Sequence, residues 1–131
     1  MNIFSRILAA IRPTPIPDPP EIRTDANGLA LYRDGEVLAA IEWSDVRRIA
    51  AYKHDLFIVD EICVAFEYVS SEGTWLEISE EFSGYKDCMK AVLQMFPEIP
   101  EGWFSDVAFP AFETNYSVLW KADTRSSDGG P

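Results

Sequence analysis

The chain has 131 residues, a length that accommodates one domain of ordinary size around a single core. An apolar content of 47% and an aromatic content of 13% exclude a disordered polymer, and no apolar run approaches the roughly 20 residues that a membrane-spanning helix needs. The formal charge of −11 excludes a phosphate-neutralising surface, so nucleic acid is not an expected partner.

Taken in chain order, the first pattern is helical: Ile3, Phe4, Ile7, Leu8 and Ile11 recur on one side, with Asn2, Ser5, Arg6 and Arg12 on the other. This predicts a short amphipathic helix. The segment Pro13 to Pro20 holds five prolines in eight residues, which fixes φ, removes amide donors and predicts an extended strap. The apolar stripe of so short a helix needs a surface to cover: its own domain, a second copy in a homodimer, another protein, or a membrane. The stripe is too short for a good signal core and Arg12 interrupts it, so it reads as part of the mature chain.

Beyond the strap the period changes to two. Gly28 to Tyr32 and Val37 to Trp43 flank Arg33-Asp34-Gly35-Glu36, whose Asp-Gly pair supplies the positive φ values of a tight hairpin. The second strand is expected to carry Val37, Ala39, Ile41 and Trp43 on one face. A further strand follows from about Arg47 to Lys53, then an apolar segment from Leu56 to Val59, with Asp60-Glu61 as a bend. The next strand alternates most clearly, with Ile62, Val64, Phe66 and Tyr68 on one side and Cys63, Ala65 and Glu67 on the other. After the turn Ser70-Ser71-Glu72-Gly73, the run Thr74 to Ile78 returns with Leu76 and Ile78 facing away from Trp75 and Glu77.

From Ser83, a candidate N-cap, Tyr85, Cys88, Met89, Val92, Leu93 and Phe96 mark a helix with one apolar face, ended by Pro97. Trp103 to Phe109 is aromatic-rich without a decisive period, and Tyr116, Val118 and Trp120 alternate like a closing strand. The expected class is α+β: an antiparallel meander, as a bent sheet or partial barrel, packed on one amphipathic helix. Residues 1–20 form an arm and strap, 21–122 the domain and 123–131 a polar tail.

The excess charge sits late in the chain. Residues 1–53 carry seven acids and seven bases, whereas residues 54–120 carry thirteen acids against Lys86 and Lys90. Catalytic parts are sparse by comparison. His54 is the single histidine, and its pairing with a carboxylate would be the basis of an enzymatic reading. Cys63 and Cys88 form no close-spaced metal or redox motif and read as reduced thiols, which favours a cytoplasmic address. No calcium-loop spacing and no phosphate-cradling glycine turn occurs, so no metal, no cofactor and no catalytic residue is assigned. The leading expectation is therefore a binding module. Trp75 with Glu77, Glu80 and Glu81 would engage a basic protein, because an aromatic anchor ringed by carboxylates suits such a partner. Neutralisation of a toxin by an immunity protein would be one instance. A peripheral membrane protein held by Ile3, Phe4, Ile7, Leu8 and Ile11 is the alternative.

Three blocks together resemble a group of small uncharacterised bacterial proteins. These are Trp43-Ser44-Asp45-Val46 with Ala51-Tyr52-Lys53 and Asp60-Glu61-Ile62-Cys63; Glu77-Ile78-Ser79-Glu80-Glu81 with Gly84-Tyr85; and Pro110-Ala111-Phe112-Glu113 with Asn115 and Leu119-Trp120. The resemblance covers Gly28 to Lys121 and implies no activity. The succession of strands followed by a helix also resembles the small bacterial relatives of the pleckstrin-homology fold, from which it departs because strand-like sequence continues after the helix.

Overall fold

Why the chain turns where it does is clearest at Asp34-Gly35. Both residues take positive φ, 53° and 80°, and close the hairpin between β2 (Gly28–Arg33) and β3 (Glu36–Glu42). In the computed structural model, which describes residues 18–55, 60–69, 75–110 and 114–122, β1 (Glu21–Thr24) pairs with β2 to complete a three-stranded antiparallel sheet. A 3-10 turn at Trp43–Asp45 then leads into a second antiparallel sheet. Its strands are β4 (Val46–Asp55), β5 (Asp60–Tyr68), β6 (Trp75–Ser79) and β7 (Ser117–Lys121), in the order β6-β5-β4-β7. Between β6 and β7 lie α1 (Tyr85–Met95) and α2 (Trp103–Ala108).

Among the described residues the class is α+β, dominated by antiparallel strands in two open sheets, with two helices inserted between β6 and β7. One core unites them. Ile22, Leu29, Leu31 and Ile41 come from the first sheet, and Ile49, Val64, Phe66, Leu76 and Ile78 from the second. Cys88, Met89 and Val92 cover them from α1, Phe96 from the residue after it, and Trp103 and Val107 from α2. Trp43, at the junction of the sheets, meets the Phe96 ring edge-on at 6.2 Å, and Phe96 in turn lies 4.6 Å from Trp120. Aromatic rings at these separations gain from edge contacts beyond the area they bury.

Gly84 sets the entry to α1. Its φ is 88°, and a Cβ there would come within 2.1 Å of the Ile22 carbonyl oxygen, so β1 lies against this residue only because it is glycine. The Ile22 amide donates to the Ser83 carbonyl at 2.8 Å, which ties the first sheet to the start of the helix. The expected side-chain cap at Ser83 is therefore replaced by Gly84 at the N-cap position, with no side-chain cap bond.

Several expectations need correction. The register slips between Leu31 and Tyr32, so that Leu31 pairs with Ala39 but Tyr32 with Val37. This bulge takes Val37 off the Ala39 and Ile41 face and leaves it 55% exposed. Trp43 is buried but belongs to the 3-10 turn, not to β3. Asp60-Glu61 is no bend, because Asp55 pairs with Asp60 and His54 with Glu61 at the start of β5. Leu93 lies on the shoulder of α1 and is exposed, so the apolar face is narrower than its spacing suggests. In β7, a slip between Ile49 and Ala50 on the partner strand lets Leu119 be buried while Trp120 packs against the core, and leaves Tyr116 and Val118 outside.

Lys53 is a buried charge at the edge of the core. Its side chain is 1% exposed, and Nζ donates to Asp60 Oδ2 at 3.2 Å, to the Ala108 carbonyl at 3.0 Å and to the Pro110 carbonyl. A cation placed at the last turn of α2 satisfies carbonyls that the helix itself cannot. Asn115 completes this knot by donating from Nδ2 to the Val107 and Pro110 carbonyls. Among the described residues no helix is long and apolar enough to cross a membrane. The predicted arm helix, most of the strap, the Leu56–Val59 segment, the Ser70–Gly73 turn and the tail lie outside the described residues.

Candidate functional site

Alternation gives each strand of the second sheet one face for the core and one facing away from it. The outward set is Arg48, Ala50, Tyr52 and His54 on β4; Glu61, Cys63, Ala65 and Glu67 on β5; and Trp75, Glu77 and Ser79 on β6. Register then assembles them into rows across the strands. Glu67 stands opposite both Arg48 and Trp75, Ala65 opposite Ala50 and Glu77, and Cys63 opposite Tyr52 and Ser79.

Small residues in the middle rows and large ones around them make a depression of about 350 Å³, lined by Tyr52, Ala65, Trp75, Glu77 and Tyr116. Ala65 is its floor. Tyr52 and Tyr116 stack with centroids 6.2 Å apart and planes 23° from parallel, so two phenol rings form one wall and Trp75 the other. The Tyr52 hydroxyl donates to Glu77 Oε2, which leaves Oε1 turned toward His54, whose Nε2 lies 3.7 Å away. Burial and the Glu77 carboxylate both raise the Tyr52 phenol above its usual pKa, so it stays a donor at neutral pH.

At the other end of the face, Arg48 Nε donates to Glu67 Oε2 at 2.9 Å, and the guanidinium carbon lies 4.7 Å from the centre of the Trp75 ring. Trp75 thus already holds a cation of its own chain against its π face. Glu67 neutralises that cation. Glu77 differs, since the one ion pair that the described residues give it is with His54, which carries charge only when protonated.

Cys63 sits between these groups and is 1% exposed. Burial pushes its thiol pKa up to about 12, with Glu77 and Glu61 adding to the effect. A thiol held protonated in this way is a poor nucleophile. A larger depression of about 470 Å³ on the three-stranded sheet is lined by Arg23, Thr24, Asp25, Gly28, Tyr32 and their neighbours. There Arg23 pairs with Glu21 and lies over the Tyr32 ring, and Asp25 accepts from the Asn27 and Gly28 amides, so these groups are engaged within the sheet.

Of the four residues expected to bind a partner, the fold brings Trp75 and Glu77 into the depression and sets Glu80 and Glu81 beyond the end of β6. Glu80 is partly occupied by the fold: its Oε1 accepts from the Ile62 amide at 3.0 Å, while its own amide donates to the Ile62 carbonyl. Glu81 is exposed. The sequence reading missed Tyr52 and Tyr116. The signal for Tyr52 was present, because it shares parity with Arg48 and His54 on β4. Tyr116 precedes β7, and only the pairing of β4 with β7 brings it alongside. No family model, curated protein or solved structure matches the chain.

Proposed function

We propose that this chain is a binding module that engages a basic segment of a protein partner on the outer face of its second sheet. A lysine or arginine side chain would lie along the trough, its stem between Trp75 and the stacked Tyr52 and Tyr116 rings and its charged head against Glu77. The observation that carries this reading is the convergence of three aromatic rings and an incompletely neutralised carboxylate on one depression. The Arg48 contact with Trp75 and Glu67 is the same recognition made within the chain. Glu81 and the acidic excess of residues 54–120 supply the long-range field that speeds encounter with a basic surface. Neutralisation of a basic toxin is one role that such a surface would serve.

The reading is tested by titrating the full chain with a Lys/Arg-rich peptide and with a Glu-rich peptide of equal length, following indole and backbone amide resonances. The basic peptide is expected to shift the Trp75 indole and the amides of Tyr52, Glu77 and Tyr116, and to bind more weakly as salt rises. Trp75→Ala and Glu77→Gln should each weaken it about tenfold or more, the range of an interface anchor. Unchanged affinity in both variants, or shifts confined to other surfaces, would rule the reading out.

A further inference from the structure

The outer face also brings together three residues far apart in the chain, each with a different donor atom. His54 pairs with Glu61, which puts Cys63 diagonally across from it on β5; Glu77 pairs with Ala65, which puts Cys63 diagonally across from it on β6. Diagonal neighbours lie roughly 7–8 Å apart at the backbone, within reach of long side chains. A short cysteine between a histidine and a glutamate on flanking strands is therefore a meeting point. One ligand atom from each of the three lies within 4.8 Å of the others.

We propose that His54, Cys63 and Glu77 form a binding site for a divalent cation of the zinc class. Sulfur, nitrogen and carboxylate oxygen together are the donor set of a borderline cation, whereas calcium and magnesium take oxygen alone. In a tetrahedral centre with bonds of about 2.0–2.3 Å the ligand atoms stand roughly 3.5 Å apart. His54 and Glu77 already meet that spacing at 3.7 Å, and the remaining closure is toward Cys63. Their side chains are 44% and 40% exposed, free to turn toward a buried sulfur that stays in place.

A supporting shell exists as well. Tyr52 donates to Glu77 Oε2, which orients the carboxylate and leaves Oε1 for the metal, the arrangement by which outer groups fix metal ligands. The Glu61 side chain is held by Ser79, and the Cys63 thiol contacts the Glu61 carbonyl at 4.0 Å. On binding, the Cys63 S–H proton leaves for solvent as the sulfur–metal bond forms. Neutral His54 contributes a ring-nitrogen lone pair and Glu77 one oxygen. The donors then carry two negative charges against the dication, and the fourth position is left for water.

The site shares Glu77 with the proposed peptide trough but uses neither Trp75 nor Tyr116, so the two readings separate experimentally. The full chain, reduced and metal-free, is titrated with Co²⁺ and then with Zn²⁺ against a chelating dye. The expected result is one equivalent of Co²⁺ with a thiolate-to-cobalt charge-transfer band, which Zn²⁺ displaces. Cys63→Ser should abolish the band and His54→Ala weaken Zn²⁺ binding at least tenfold, while Tyr52→Phe weakens it about tenfold. Cys88→Ser and Trp75→Ala should leave it unchanged, the latter even as peptide binding is lost. Because His54 is exposed, its variant keeps the test valid if Cys63→Ser fails to fold, with circular dichroism as the check. Absence of a thiolate band in the wild-type chain, or Zn²⁺ affinity unaltered by His54→Ala, overturns the proposal.

Discussion

The two faces of the four-stranded sheet are made by the same strands at the same alternation, yet they follow opposite rules. Inward, Ile49, Val64, Phe66 and Ile78 are all 0% exposed and differ only in shape. Outward, alanine and cysteine lie low between Tyr52, Trp75, Glu77 and Tyr116, so chemistry rather than volume distinguishes one position from the next. Close packing makes the first face intolerant of lost methylenes, whereas the second can lose a side chain to solvent at little cost. Stability should thus reside on one side of a sheet a single residue thick, and recognition on the other.

The sharpest test exchanges one aromatic residue on each face. Phe66→Ala should cost about 3–5 kcal/mol in urea denaturation, a loss comparable with the whole stability of a small domain. Trp75→Ala, on the neighbouring strand, should cost about 1 kcal/mol or less while removing peptide binding. A Trp75 variant as unstable as the Phe66 variant would show that the outer face is a second core. Next in size is Lys53, a charge buried on the inward side. Lys53→Met keeps the stem but removes the buried ammonium that donates to Asp60 Oδ2 and to the Ala108 and Pro110 carbonyls, so a loss of about 3 kcal/mol is expected. Preserved stability would mean that the inward face accepts a neutral chain at this end.

How much of this was legible in the sequence depended on the range of the interaction. Alternation within β5 and β6 and the Asp34-Gly35 turn are set by neighbours in the chain, and the residues there occupy the faces their spacing predicts. Trp75 and Glu77 were found for the same reason. The bulge at Val37 was not visible, because an extra residue in one strand shows only when its partner is known. Nor was α2, since six residues with Trp103 and Val107 buried four apart suit a short helix or an irregular segment equally. The His54, Cys63 and Glu77 cluster was hidden more deeply. Spacings of nine and fourteen residues fit no local ligand motif, and the cluster exists only through the registers of two strand pairs.

The two cysteines carry the comparison to its smallest expected effect. Cys63 on the outer face is surrounded by carboxylates, whereas Cys88 on α1 lies in the core with Thr24 as its polar neighbour. Burial raises the Cys88 thiol from 9.0 to about 11, an increase that the Thr24 contact partly offsets. For an acid whose folded pKa is raised, the unfolded chain ionises first; the stabilisation is whole below the unfolded value and is lost as pH climbs toward the folded one. At about pH 10 the loss should be on the order of 1 kcal/mol. Cys88→Ala costs stability at neutral pH through the smaller side chain, but its alkaline slope should be shallower than that of the wild-type chain. The measurement is urea denaturation at intervals between about pH 8 and pH 10 in reductant. Parallel slopes for the two chains would mean that the Cys88 thiol ionises as readily in the folded core as in the unfolded chain, and that burial on the inward side does not isolate it from water.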